Sequence, residues 1–202
     1  MATAKATALR PVSNDADDTI SATEPYSVQV TIRGSSAILF HRWSNEAVAA
    51  KAAAAKGSRA KKTDDLDSYV YRCENGNLGL PGEYLRQSMI HVAKFRQDPR
   101  SPRKSAMDLF KAGVVATTEL ADLGVADADY IDQRRVLVQR SAVARERPAL
   151  REGWEATIDL MVLLPEYIDR TLLLDVIGAA GRLIGVGDFR PTYGRFAVTS
   201  FV

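Results

Sequence analysis

Cysteine is nearly absent from this chain of 202 residues: Cys73 stands alone. No internal disulfide can form, so a reducing, cytoplasmic setting is expected. No run approaches the ~18 consecutive apolar residues of a membrane span. The opening MATAKATALRPVSNDADD has no apolar core of a secretory signal. No membrane partner is expected. Histidine is almost as scarce, with His41 and His91 only. Neither histidine lies at ligand spacing from the other or from Cys73, so no zinc site, and no metal or cofactor, is expected. No Gly-x-Ser-x-Gly elbow occurs, and no Ser/His/Asp order has supporting spacing. Gly185 and Gly187 begin something like a dinucleotide fingerprint, but Arg190 stands where the third glycine belongs. That segment also follows a helical pattern, whereas the fingerprint follows a strand. An excess of one charge is missing too: 27 basic against 25 acidic residues leave +2.

What is present is unevenly placed. Arg134, Arg135, Arg140, Arg145, Arg147 and Arg151 crowd the segment 134–151, with Glu146 opposing them. Like charges at this density need compensation from elsewhere. A nucleic-acid backbone supplies it through counterion release; a solvated basic hairpin is the plainer alternative. Lys94, Arg96, Arg100, Arg103 and Lys104 form another basic group, and Lys56, Arg59, Lys61 and Lys62 a further one.

Periodicity outlines the fold. Residues 1–24 lack it and read as a disordered or assembly arm. Tyr26, Val28, Val30 and Ile32 alternate with polar residues, a half-buried strand. Ala37 to Phe40 reads as its continuation past a bulge at Gly34. Ser44 caps an Ala-rich helix to about Lys56, and a charged loop follows to Asp65. Tyr69 to Cys73 and Leu78 to Leu80 flank Asn75-Gly76-Asn77, a hairpin signal. Glu83 to Phe95 has helical spacing. Residues 97–105 read as a Pro-broken loop before a helical turn or two. Strands are expected over Val114–Leu120, Tyr130–Val138, Trp154–Val162 and Arg195–Val202, with an Arg-rich loop after Val138 and a helix over Asp169–Arg182. This order predicts an α+β, ferredoxin-like (RRM-like) βαββαβ sandwich over 25–202, one domain with a helix and hairpin inserted at about 42–80.

The densest signal is the loop Gly185-Val186-Gly187-Asp188-Phe189-Arg190-Pro191-Thr192-Tyr193-Gly194-Arg195. Glycines let backbone amides turn outward as an anion nest. Arg190 and Arg195 add charge-assisted donors, and Tyr193 a face for a base. The alternative is a tight turn packed into the core, the reading favoured for Phe189 and Phe196. His41, opening the triplet His41-Arg42-Trp43, is either a base or phosphate contact, a general base for RNA cleavage, or a strand-end histidine with no chemistry. His91 and Cys73 read as structural. The arginines after Tyr130 and those of the glycine turn are expected to line one groove.

The segment Gly185–Pro191 with Gly194-Arg195-Phe196, after a helix and before a strand, resembles the glycine-rich loop of the RAMP superfamily. Leu80-Pro81-Gly82-Glu83-Tyr84-Leu85-Arg86 resembles that superfamily's turn into its first core helix. His41-Arg42-Trp43, the Asn-Gly hairpin and the closing loop are similar to a family of small phage and prophage proteins of that build. Kin by build are the backbone subunits of CRISPR effector complexes. The resemblance implies a sequence-independent binder of single-stranded RNA or DNA that assembles head-to-tail into a helical filament, without enzymatic activity. His41, Arg42, Trp43, Arg134, Arg135, Arg140, Arg145, Arg147, Gly185, Gly187, Arg190, Tyr193 and Arg195 are then the binding residues, taking up about four to six phosphates per subunit. The alternatives are a metal-independent RNA endonuclease with His41 as base, and a phage structural or assembly protein.

Overall fold

A computed structural model describes residues 24–43, 45, 49, 52–53, 66–138 and 141–202, without the side chains of 136–138 and 141–143. The first strand, β1 (Tyr26–Gly34), buries Val28, Val30 and Ile32 and exposes the residues between. Its alternation is answered by β11 (Glu155–Val162), which buries Ala156, Ile158, Leu160 and Val162. The two pair antiparallel from Tyr26↔Val162 to Arg33↔Glu155. Facing residues share one side of the sheet, so both apolar sets point the same way. The edges are β12 (Phe196–Phe201) beside β1 and β7 (Val114–Ala116) beside β11, all antiparallel, in the order β12-β1-β11-β7.

Two helices cover the apolar side and pack on each other: α1 (Gly82–Ala93) and α3 (Arg170–Leu183). Leu85, Met89 and Val92 of α1 meet Leu173, Val176, Ile177 and Ala180 of α3 in one core with the sheet. Asp169 starts α3, its carboxylate accepting the Leu172 N–H at 2.7 Å. The short α2 (Met107–Gly113) leads into β7. The molecule is thus α+β, with antiparallel sheets and, among the described residues, these three α-helices, and it is compatible with a ferredoxin-like sandwich.

Three smaller sheets surround this frame. β3 (Tyr71–Arg72), β4 (Leu78–Pro81) and β8 (Leu120–Asp122) form one, the β3–β4 turn being the expected Asn-Gly hairpin. β2 (Ile38–Leu39), β10 (Ser141–Leu150) and β9 (Tyr130–Val138) form another. β5 (Gln97–Asp98) and β6 (Ser101–Ser105) form the last.

The fold departs from the sequence reading in four places. Residues 38–39 do not prolong β1. The Trp154 indole N–H donates to Ser36 O at 2.9 Å, the chain bends there, and β2 pairs with β10 in a different sheet. Residues 97–105 are a hairpin, not a loop. Its turn is held by Asp98, which accepts the Arg100 N–H at 2.9 Å and its guanidinium at 2.8 Å. The stretch 114–120 divides between two sheets, because the Thr117 N–H is drawn to Asp159 O at 2.9 Å. The Arg-rich segment is a strand, β10, with its arginines at alternate positions. The arm (Glu24 aside), the helix from Ser44 to Lys56 (Asn45, Ala49, Ala52 and Ala53 aside) and the loop 57–65 lie outside the described residues.

The chain returns from α3 to β12 through the loop 184–195, which lies against β2. Gly194 adopts φ +71, and a Cβ there would sit 1.6 Å from Val186 O. Its N–H donates to Ala37 O at 2.7 Å. Gly194→Ala combines a left-handed backbone with a backbone clash, so a loss of about 2–5 kcal/mol is expected in urea unfolding. An unchanged midpoint overturns this account of the loop.

Candidate nucleic-acid interface

Residue Asp188 gathers the candidate site. Its carboxylate Oδ2 accepts Arg147 Nε at 2.9 Å and lies 3.6 Å from His41 Nδ1. Its Oδ1 accepts the Phe189 N–H at 3.0 Å, and its own N–H donates to Leu39 O at 2.9 Å. One aspartate therefore ties together β10, the end of β2 with the His41 that follows it two residues on, and the glycine loop.

Arginines and aromatic rings alternate around it. The Arg147 guanidinium lies over the Tyr69 ring at 4.8 Å, and His41 meets the same ring edge-on at 5.1 Å. Arg42 stands over Tyr71 at 5.3 Å, and Tyr71 packs edge-on against Tyr84. Burial raises the Tyr84 pKa strongly, and the hydrogen bond with Tyr71 raises it further. The charge of Arg190 lowers it and that of Asp188 raises it, both to a smaller extent. On the hairpin, Arg134 lies over Tyr193 at 4.3 Å and over Phe189 at 5.1 Å. Asp132 and the Tyr193 hydroxyl both bond its guanidinium, which raises its pKa above the usual arginine value. Such stacked arginine–ring pairs contribute about 0.5–1 kcal/mol each where exposed.

Several expectations are met differently from the way they were framed. Arg134 and Arg145 face each other across the hairpin, as do Asp132 and Arg147, so these four share one side. Arg135 is on the other side, opposite Ala144. Arg147 is 4% exposed and held by Asp188; it anchors the loop and cannot reach a phosphate. The anion nest is not formed as expected. The amides of Gly185, Val186, Asp188 and Gly194 donate to Ala180, Gly194, Leu39 and Ala37 carbonyls. Gly187, at φ +81, is needed because a Cβ would meet Leu39 O at 2.7 Å. These glycines admit the protein's own backbone. Phe189 is half-buried at φ 53. Trp43 is 71% exposed, its indole on Asn45 Oδ1 at 2.7 Å. Arg195 is exposed, its N–H on Ser36 Oγ at 3.0 Å. Arg140 lies outside the described residues. Among the described residues no carboxylate pairs with Arg42, Arg145 or Arg190.

Sequence reasoning missed Tyr69, Tyr71, Tyr84 and Asp188 as site residues. The tyrosines were legible only as strand and helix residues, and Asp188 only as one member of a loop. His91 is exposed rather than structural. Cys73 is half-buried, and desolvation raises its thiol pKa, which leaves less thiolate to attack a substrate. Among the described residues no group of three or more His, Cys, Asp or Glu could hold a metal ion, and no helix is long and apolar enough to cross a membrane.

The open side of the main sheet is a poorer candidate. Gln29 donates to Asp159 at 3.0 Å, Thr31 bonds Thr157 at 3.0 Å, and Arg33 pairs with Glu155 at 3.7 Å. None of these residues offers an aromatic platform for a base.

No protein-family model matches the chain, and no curated protein matches it. Among solved structures the chain is similar to Cmr6 from Pyrococcus furiosus, with 10% identity and a TM-score of 0.44, covering 90% of this chain and 100% of that chain.

Arg147→Ala leaves Asp188 without its buried partner and unlatches the loop. Removing one member of a buried pair costs about 3–5 kcal/mol, and partial solvation of Asp188 lowers this to about 2–4. Arg135→Ala is expected to change stability by under about 0.5 kcal/mol. Equal urea midpoints for the two variants refute the anchoring role.

Proposed function

We propose that the protein binds single-stranded nucleic acid without sequence preference, along the surface of Arg42, Arg134, Arg145 and Arg190 and the rings interleaved with them. The observation that carries this reading is the alternation itself. Guanidinium groups supply phosphate contacts, and neighbouring rings supply faces on which any base stacks. With Arg147 sequestered and Arg135 facing away, the expected phosphate count falls from about four to six to about three to four. Log K against log salt should then have a slope of about −2 to −3 on a single strand. Arg190→Ala should weaken binding evenly across sequences and flatten the slope by about 0.7. Salt-independent binding, or no retardation of a strand at low salt, overturns the reading.

Head-to-tail addition of copies along the strand belongs to the same reading, since contacts between unlike surfaces that do not close give filaments. Electron microscopy should show filaments only with a long strand; a discrete oligomer without one favours a structural or assembly protein.

The His41–Asp188 approach supports a second reading, metal-independent RNA cleavage. The carboxylate faces Nδ1 from 3.6 Å, an electrostatic approach rather than a hydrogen bond, and favours the proton on that nitrogen, which leaves Nε2 to accept one from a 2′-hydroxyl. This reading expects RNA cleavage in EDTA that is lost in His41→Ala, with strand binding retained. Intact RNA after long incubation removes it.

A further inference from the structure

Beside the glycine loop lies a cleft of about 410 Å³ that shares Phe189 and Arg190 with the strand surface described above. It is lined by His91 of α1, by Leu183 and Ile184 at the end of α3, and by the loop from Gly187 to Pro191, including Asp188, whose charge Arg147 offsets. Its volume falls within the range of about 300–1,000 Å³ usual for small-molecule sites.

The walls are chemically distinct. Leu183, 52% exposed, Ile184, Phe189 and Pro191 supply the apolar part of the lining. An apolar side chain left this open at a helix end is unremarkable alone. Four apolar residues in the lining of one cleft give a flat ring a surface to pack on. The His91 imidazole, also in the lining, can donate or accept a hydrogen bond. Arg190 lines the cleft too and is exposed, a charge-assisted donor for a phosphate. The cleft adjoins the last turn of α3, where helix carbonyls lack intrahelical partners and carry the negative end of the dipole. Hydrogen-bond donors, such as the exocyclic amine of a base, are favoured there. Phe189, in the same lining, has φ 53, a conformation that non-glycine residues adopt at a cost and that gathers at functional positions.

We infer that this cleft is a nucleotide subsite, packing a nucleobase on its apolar residues, Leu183 and Pro191 among them, with His91 as a hydrogen-bonding partner of the base and Arg190 of its phosphate. Resting on the strand-binding reading, it takes one base turned out of the bound strand. The same chemistry also fits a free nucleotide, and bases bearing an amine are preferred to uracil.

The test follows the imidazole of His91 in the full chain by NMR, which is practicable because only two histidines exist. AMP, CMP, UMP, ribose 5-phosphate and a long single strand are titrated in turn, with strand retardation measured separately. AMP and CMP should move the His91 signal at lower concentration than UMP, and ribose 5-phosphate should not move it. Leu183→Asp, at a half-exposed position that tolerates charge, should raise the concentration needed at least five-fold. A His91 signal that no nucleotide moves, or that ribose 5-phosphate moves equally, overturns the inference. If the strand is retarded while His91 stays still, the subsite fails and the strand reading stands. If nucleotides move His91 while no strand is retarded, the subsite stands for free nucleotides and the strand reading fails.

Discussion

The buried guanidinium of Arg147 on the Asp188 carboxylate is the contact on which the site depends. A lone arginine at this depth would be prohibitively costly to desolvate, and a lone aspartate on a loop would have no fixed position. Together they join a strand to a loop 41 residues later in the sequence. The rest of the geometry follows from this junction. Asp188 fixed in place brings His41 to it, and the loop held down brings Phe189 and Tyr193 within reach of Arg134 on the hairpin. A buried pair of this kind adds little net stability over an apolar substitute, but it admits one register between hairpin and loop.

The same junction limits the electrostatics. Asp132 and Asp188 each take charge from an arginine, so the surface is less basic than the run of arginines in the sequence suggests. What is left is a moderate positive field with several ring faces. Such a surface gains affinity from stacking as well as from counterion release, which suits a strand with exposed bases more than a duplex whose bases are paired. The main sheet offers the opposite: cross-strand pairs that satisfy one another and leave nothing for a ligand.

Much of the frame was legible because its signal is local. The alternation of Tyr26 to Ile32 and of Ala156 to Val162 can only bury one face of a sheet, and Asp169 ahead of Leu172 and Leu173 is a helix start in any context. Asn75-Gly76 made its turn for the same reason. What was not legible depended on partners far along the chain. Arg147 is polar by any scale, and only Asp188 makes its burial tolerable. The hairpin at 97–105 has no apolar alternation, because it is held by an aspartate–arginine turn. The glycines of the closing loop were visible, but not whether their amides faced outward. That was decided by Ala180 and Ala37, whose carbonyls claim the amides of Gly185 and Gly194. Tyr71 and Tyr84 could not be paired from sequence, since their meeting requires the hairpin to fold back over α1.

The glycine loop therefore works as a spacer with two usable sides, not as the anion receptor its composition suggests. Gly187 and Gly194 let the backbone lie flat against β2, and that close seating forces Phe189 into the left-handed region. Phe189 lies between Arg134 on the strand side and the cleft beside His91 on the other. The Arg134 stack and the lining of the cleft thus share one side chain, so a substitution at Phe189 alters both at once.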